Sequence, residues 1–187
     1  MDRTFELAER VRSILEQKGH SCAVIGAVAL AAWGYPRSTL DIDLAVNLDP
    51  RELSEIGRAI ELTGDGLRTR LLLPDAEDPL GGTLTITGDE SDPVQLVNFY
   101  NPHRGRNVLG RSLLLAAKPK IIGELAVVDL PHLVATKLYA GDLADRVDVL
   151  EVLRRNPECN LEEVANTCTR LGLGEAWSAI ASDLGER

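Results

Sequence analysis

The chain has 187 residues, 44% hydrophobic and 26% charged, which suits one globular domain with room for a small appendage. Its 29 acids against 20 bases leave a net charge of −9, and aromatics are only 4%. That balance argues against a protein that coats DNA or stacks bases along an extended groove. Cys22, Cys159 and Cys168 form an odd set without a C-x-x-C pair, consistent with reduced thiols and a cytoplasmic location. The charged start of the chain lacks the apolar core of a signal peptide. The longest stretch free of polar residues, Cys22 to Gly34, is too short to span a bilayer, so no membrane association is expected.

In chain order, Thr4 to Gln17 carries apolar residues at helical spacing and stops at Gly19. Ser21 to Ile25 reads as a strand, and Gly26 follows at once. Ala27 to Trp33 reads as a helix of small residues ending at Gly34. A loop through Arg37 and Thr39 leads into Leu40 to Val46, where Asp41 and Asp43 alternate with Leu40, Ile42 and Leu44. This period of two is that of a strand with both carboxylates on one face. Asp49-Pro50 opens a helix to about Leu62. Leu67 to Leu73, Thr83 to Gly88 and Val94 to Tyr100 read as strands. Asn101 to Arg111 is expected to hold a short helix, and Ile121 to Val128 one strand. Asp129-Leu130-Pro131 caps a helix through Ala140, and three more helical segments follow: Arg146 to Arg155, Leu161 to Leu171 and Glu175 to Leu184. The expected fold class is α+β with a mixed α/β sheet. An α/β domain at 1–128 would carry a helical C-terminal region, 129–187, packed on it.

Asp41-Ile42-Asp43 is the centre of the chemical reading. Carboxylates two apart on a strand lie about 7 Å apart at the backbone and repel when ionised. Mg²⁺ suits such a pair, its coordination completed by water and substrate phosphates. An acid-x-acid pattern alone is weak, and Asp75-Ala76-Glu77 repeats it in a loop. The setting strengthens it. Gly26 permits close backbone approach and the helix after it presents free N–H groups, a combination that favours phosphate, although a tight strand-to-helix turn would need the same glycine. Arg37 is placed either to clamp a phosphate or to balance the nearby aspartates, and Thr39 to hold the loop through its hydroxyl.

Strand–Gly26-Ala27–helix, followed by Gly34-x-x-Arg37-x-Thr39-x-Asp41-Ile42-Asp43-Leu44, resembles the active-site signature of the DNA polymerase beta-like nucleotidyltransferase superfamily. It is most similar to minimal bacterial nucleotidyltransferases, including abortive-infection toxin types. Asp129-Leu130, Lys137-Leu138-x-Ala140 and Asp145-x-x-Asp148 are similar to the helical segment of those proteins. The resemblance implies a nucleotidyltransferase-like fold with a helical C-terminal extension and Mg²⁺-dependent transfer of a nucleoside monophosphate from an NTP to an acceptor hydroxyl, on RNA such as tRNA or on protein. It implies catalytic and metal-binding roles for Asp41 and Asp43, and nucleotide binding by Gly26, Ala27, Arg37, Thr39 and Lys137. It also implies a toxin–antitoxin component with a cognate antitoxin. Without the resemblance, Lys137 is a surface helix lysine, and Asp145 and Asp148 are a solvated face or pair locally with Arg146.

The chain departs from the family pattern in two places. Ala27 stands where Gly or Ser is usual. Gln95, on the strand that carries a third carboxylate in catalytic members, stands where that acid is expected, and no acid occurs from Pro93 to Gly123. An amide cannot act as a general base, so the alternative is a catalytically degenerate relative that binds nucleotide or a partner protein without turnover. The acid-free stretch also carries His103, Arg104, Arg106, Arg111, Lys118 and Lys120. It reads either as a local basic island beside the acidic strand, able to receive phosphates or RNA, or as a solvated loop with lysines along an edge strand.

Overall fold

The computed structural model describes residues 2–104, 108–114 and 120–185. In chain order the elements are α1 (Asp2–Gln17), β1 (Ala23–Val24), α2 (Gly26–Ala32), β2 (Ile42–Val46), α3 (Pro50–Glu61), β3 (Arg68–Leu72), β4 (Thr83–Gly88) and β5 (Ser91–Asn98). They continue with α4 (Val108–Leu114), β6 (Lys120–Ile122), β7 (Leu125–Val127), α5 (Leu130–Ala140), α6 (Leu143–Arg155), α7 (Leu161–Arg170) and α8 (Gly174–Gly185). The strands form one mixed sheet in the order β3-β4-β5-β2-β1-β7-β6. β2 runs parallel to β5 and antiparallel to β1, and β1 runs parallel to β7. The expected mixed α/β sheet followed by a helical C-terminal part is the architecture found.

Local chemistry sets most of the boundaries. Asp49 accepts from the Arg51 amide while the Glu52 carboxylate accepts from the Asp49 amide, a capping box with Pro50 in the first turn of α3. Asp129, Asp142 and Asn160 cap α5, α6 and α7 in the same way, each accepting a first-turn N–H. α5 ends at Gly141 in the left-handed conformation, with φ of 77°.

Three expectations need correction. Ile121 to Val128 is a hairpin of two strands, β6 and β7, turned by Gly123-Glu124, with Gly123 at φ 59°. A two-residue turn with glycine first interrupts neither apolar run, so the pattern reads as one strand. The strand expected at Ser21 to Ile25 shrinks to Ala23–Val24, because Ile25 already sits at the N-cap of α2. The short helix expected within Asn101 to Arg111 lies further on, at Val108–Leu114.

The core is continuous across the molecule. Val24, Leu30, Leu44 and Leu96 belong to the same buried cluster as Leu133 and Val134 of α5, Val149 and Val152 of α6, and Trp177 and Ile180 of α8. Two hydrogen bonds fasten the end of α2 to the C-terminal half of the chain. Trp33 Nε1 donates to the Val128 carbonyl at 3.0 Å, and Asn156 Nδ2 donates to the Trp33 carbonyl at 2.7 Å. No helix among the described residues is long and apolar enough to cross a membrane.

Candidate active site

The site forms where β2 begins, between β1 and β5. Parallel register places Asp43 opposite Gln95, so their side chains share a face of the sheet. Asp41 lies just before β2, two residues ahead of Asp43 and on the same side. Both of its carboxylate oxygens are held: Thr39 Oγ1 donates to Oδ1 at 2.6 Å, and Gln95 Nε2 donates to Oδ2 at 2.9 Å. Thr39 therefore holds the loop through the acidic side chain itself.

Gly26 explains its own identity. Its φ is 65°, a conformation that L side chains rarely adopt, and a Cβ placed on it would lie 2.2 Å from Asp43 Oδ2. The carboxylate occupies the space that a side chain at 26 would take. The glycine turn and the acidic strand are thus one fitted unit. The Ile25 amide donates to the Asp43 carbonyl at 3.0 Å and reinforces it. α2 starts at this point with no side-chain cap on its first turn, and Gly26 borders Asp43.

Burial, then repulsion from Asp41, pushes the Asp43 carboxyl up to about 6, while Lys137 works in the opposite direction. Two close, half-buried carboxylates form a donor set suited to a hard divalent cation that keeps water and phosphate ligands. Among the described residues, no group of three or more His, Cys, Asp or Glu side chains comes together as a metal cage. The third position beside the two aspartates is the Gln95 carboxamide.

Lys137 and Arg37 converge on α6. Lys137 Nζ lies 2.8 Å from Asp145 Oδ1 and 2.8 Å from Asp148 Oδ2, and Arg37 Nη1 lies 2.6 Å from Asp148 Oδ2. Burial alone would lower the Lys137 pKa, but its bonds to the two carboxylates outweigh that and hold it above the usual lysine value. Lys137 is therefore not a surface lysine: its side chain is 13% exposed. Arg37 forms a structural ion pair, but with Asp148 rather than with the aspartates close to it in sequence. Asp145 and Asp148 are buried and pair with Lys137 and Arg37, not with Arg146 or solvent. Their spacing of three, continued back to Asp142, marks one helix face and was the available signal. What lies opposite that face is decided only by tertiary packing.

The described members of the basic stretch do not gather at the aspartates. Lys120 caps the end of α2, donating to the Ala32 carbonyl at 2.9 Å with its ammonium 3.8 Å from the Trp33 ring centre. Arg111 lines a cavity between α4, α5 and α7. Arg104 and His103 are exposed, and Arg106 and Lys118 lie outside the described residues. Beside Asp41 a mainly apolar cavity of about 500 Å³ opens, walled in part by Phe5, Val28, Ala31, Pro36 and Leu40.

No protein-family model and no curated protein matches the chain. Solved structures do. The solution structure of the antibiotic-resistance factor ANT(2″)-Ia superposes with a TM-score of 0.55 at 14% identity, covering 100% of both chains. The crystal structure of ANT(2″)-Ia in complex with adenylyl-2″-tobramycin gives 0.51 at 18% identity, over 96% of this chain and 98% of that one. An antigenic nucleotidyltransferase-like protein from Paracoccidioides brasiliensis gives 0.51 at 13% identity, over 95% and 93%. At such identities the likeness is one of fold: the chain has the nucleotidyltransferase fold along its whole length.

Proposed function

We propose that the protein binds a nucleoside triphosphate with Mg²⁺ at Asp41 and Asp43 and transfers the nucleoside monophosphate to an acceptor hydroxyl. The observation that carries this reading is the fit of Asp43 into the space left by Gly26, which couples a glycine turn to an acid-x-acid strand within this fold. Asp41 and Asp43 would hold the metal, which when bound supplies charge neutralisation on the triphosphate. The backbone of Gly26 and Ala27 would face the phosphates. Thr39 keeps Asp41 oriented. Lys137 acts from behind, drawing Asp43 toward its ionised form. Arg37, tied to Asp148, braces the loop between α2 and β2. In the transfer, the acceptor oxygen forms a bond to the α-phosphorus, the bond to the pyrophosphate oxygen breaks, and the hydroxyl proton leaves to solvent or to a base.

For the acceptor we propose an RNA such as tRNA, or a protein, with a cognate antitoxin as regulator; support for this rests on the sequence resemblance to the toxin-type enzymes. An acceptor like the tobramycin of the adenylyl-2″-tobramycin complex of ANT(2″)-Ia finds less support beside Asp41, where the adjoining cavity is mainly apolar.

Calorimetry in Mg²⁺ tests the site: NTP binding is expected in wild type and lost in Asp41→Ala, and equal binding by both sinks it. Incubation of labelled NTPs with tRNA or cell extract tests transfer. One observation favours a second reading. Gln95 donates its amide N–H to Asp41 and has no basic oxygen to offer a hydroxyl proton. A protein that binds nucleotide without turnover would have this feature. Gln95→Asp separates the two readings: a gain of about 10²-fold or more in transfer is expected if a missing base is the limit.

A further inference from the structure

Outside the nucleotide site, three side chains that the sequence scatters come together where α4 meets α5. His132 Nδ1 lies 2.6 Å from Asp129 Oδ1, and His132 Nε2 lies 2.7 Å from Ser112 Oγ. The order hydroxyl–imidazole–carboxylate, with both ring nitrogens engaged at hydrogen-bond distance, is the arrangement that activates a serine. The local fold explains why it is rigid. Asp129 is the N-cap of α5, and the same Oδ1 accepts the His132 backbone N–H at 2.9 Å, so one oxygen fixes both the helix start and the ring. His132 is only 7% exposed, while Ser112 is half-buried and lines a cavity of about 830 Å³.

Burial alone would raise the Asp129 carboxyl, but the hydrogen bonds from His132, then the charges of His132 and Arg170, outweigh it and keep it below the usual range, so it is ionised at neutral pH. An ionised carboxylate only accepts, so a neutral ring in this position carries its proton on Nδ1 and turns Nε2 to the Ser112 hydroxyl. Arg111, Asn166 and Arg170, all N–H bearing side chains, line the same cavity.

We propose that Ser112, His132 and Asp129 form a second, hydrolytic site for small carboxylic esters, independent of the nucleotide site. Ser112 Oγ attacks the ester carbonyl carbon and its proton passes to His132 Nε2. The carbon–alkoxide bond breaks and the alkoxide leaves as an alcohol with that proton. Water then attacks the acyl-serine and gives a proton to Nε2. The acid departs as the oxygen–acyl bond breaks, and the proton returns to Ser112. Asp129 is a positioning residue that acts through the ring.

An alkyl fluorophosphonate probe with peptide mass mapping tests this on the full chain, with EDTA present to silence any metal site. A single adduct on Ser112 is expected, its Oγ–P bond replacing P–F. It should form about 10²-fold or more slowly in His132→Gln. Asp129→Asn keeps a helix-capping side chain; in it the pH profile of labelling should shift while the adduct remains on Ser112. p-Nitrophenyl butyrate should be hydrolysed with an initial burst. No adduct on Ser112 in wild type, or equal labelling rates in His132→Gln, would overturn the proposal and leave the three side chains as a tie between α4 and α5. Because wild type alone can give the first of these results, an unfolded variant does not protect the idea.

Discussion

At position 26 the backbone and the chemistry impose the same demand. Gly26→Ala combines a left-handed φ with a Cβ set against Asp43 Oδ2, so the loop must move or the carboxylate must turn away. The expected loss is about 2 kcal/mol or more of stability in urea melts, together with loss of Mg²⁺-dependent NTP binding. Asp43 allows a prediction with a definite sign. Its folded pKa of about 6 lies above the ordinary value of 3.8, so the folded state binds the extra proton between those values. Stability is therefore fullest below pH 4 as far as this group is concerned, and it declines as pH rises through 6. In metal-free buffer, Asp43→Asn should flatten that decline and raise Tm at pH 7.5, by an amount equivalent to about 1–3 kcal/mol. Unchanged melting at pH 7.5 would mean that the two carboxylates are better solvated than their geometry indicates. Asp41, Asp43, Gly26 and Thr39 were legible in the sequence because their relation is local: a period of two, a glycine at a strand end, a hydroxyl two residues before an acid. Gln95 was legible as the odd member of its strand. Its bond to Asp41 was not, since that depends on the parallel register of β2 and β5.

At the scale of elements, the cluster of Arg37, Lys137, Asp145 and Asp148 joins the loop before β2 to α5 and α6. Removing its central cation takes the shared ammonium from two buried carboxylates and leaves Asp148 to Arg37 alone. Lys137→Met should cost about 3–5 kcal/mol, measured by chemical denaturation. Arg37→Met should cost clearly less, since the guanidinium is 40% exposed and water can replace it. Equal effects would show that Asp148 relies on both cations alike. Helices were the most legible elements, because residues such as Asp49 and Asp129 announce their own N-termini through short-range hydrogen bonds. The β6–β7 hairpin was hidden inside an unbroken apolar pattern. The partners of Asp145 and Asp148 were hidden because helical spacing identifies a face but not what covers it.

At the scale of the molecule, the helical C-terminal part and the sheet share one core. Leu133, Val134, Val152 and Trp177 are buried with residues of β1, β2 and β5. A chain ended after Val128 would uncover that surface. It is expected to be insoluble or to lose its cooperative thermal transition, as followed by circular dichroism; a truncated chain that melts sharply would establish the sheet as self-sufficient. The mixed sheet itself has a narrow waist. β1 joins its two parts through two register pairs with β2 and a single pair with β7, whereas β2 and β5 share five. Asp41 and Asp43 lie on one side of that waist, and the strand leading to α5 and Lys137 lies on the other. That thin seam is bridged instead by side chains: Trp33 reaches the Val128 carbonyl, and Arg37 meets Lys137 at Asp148. The spacing between the lysine's helix and the two carboxylates is therefore set by side chains that reach over the sheet's thinnest point, and not by its strand ladder.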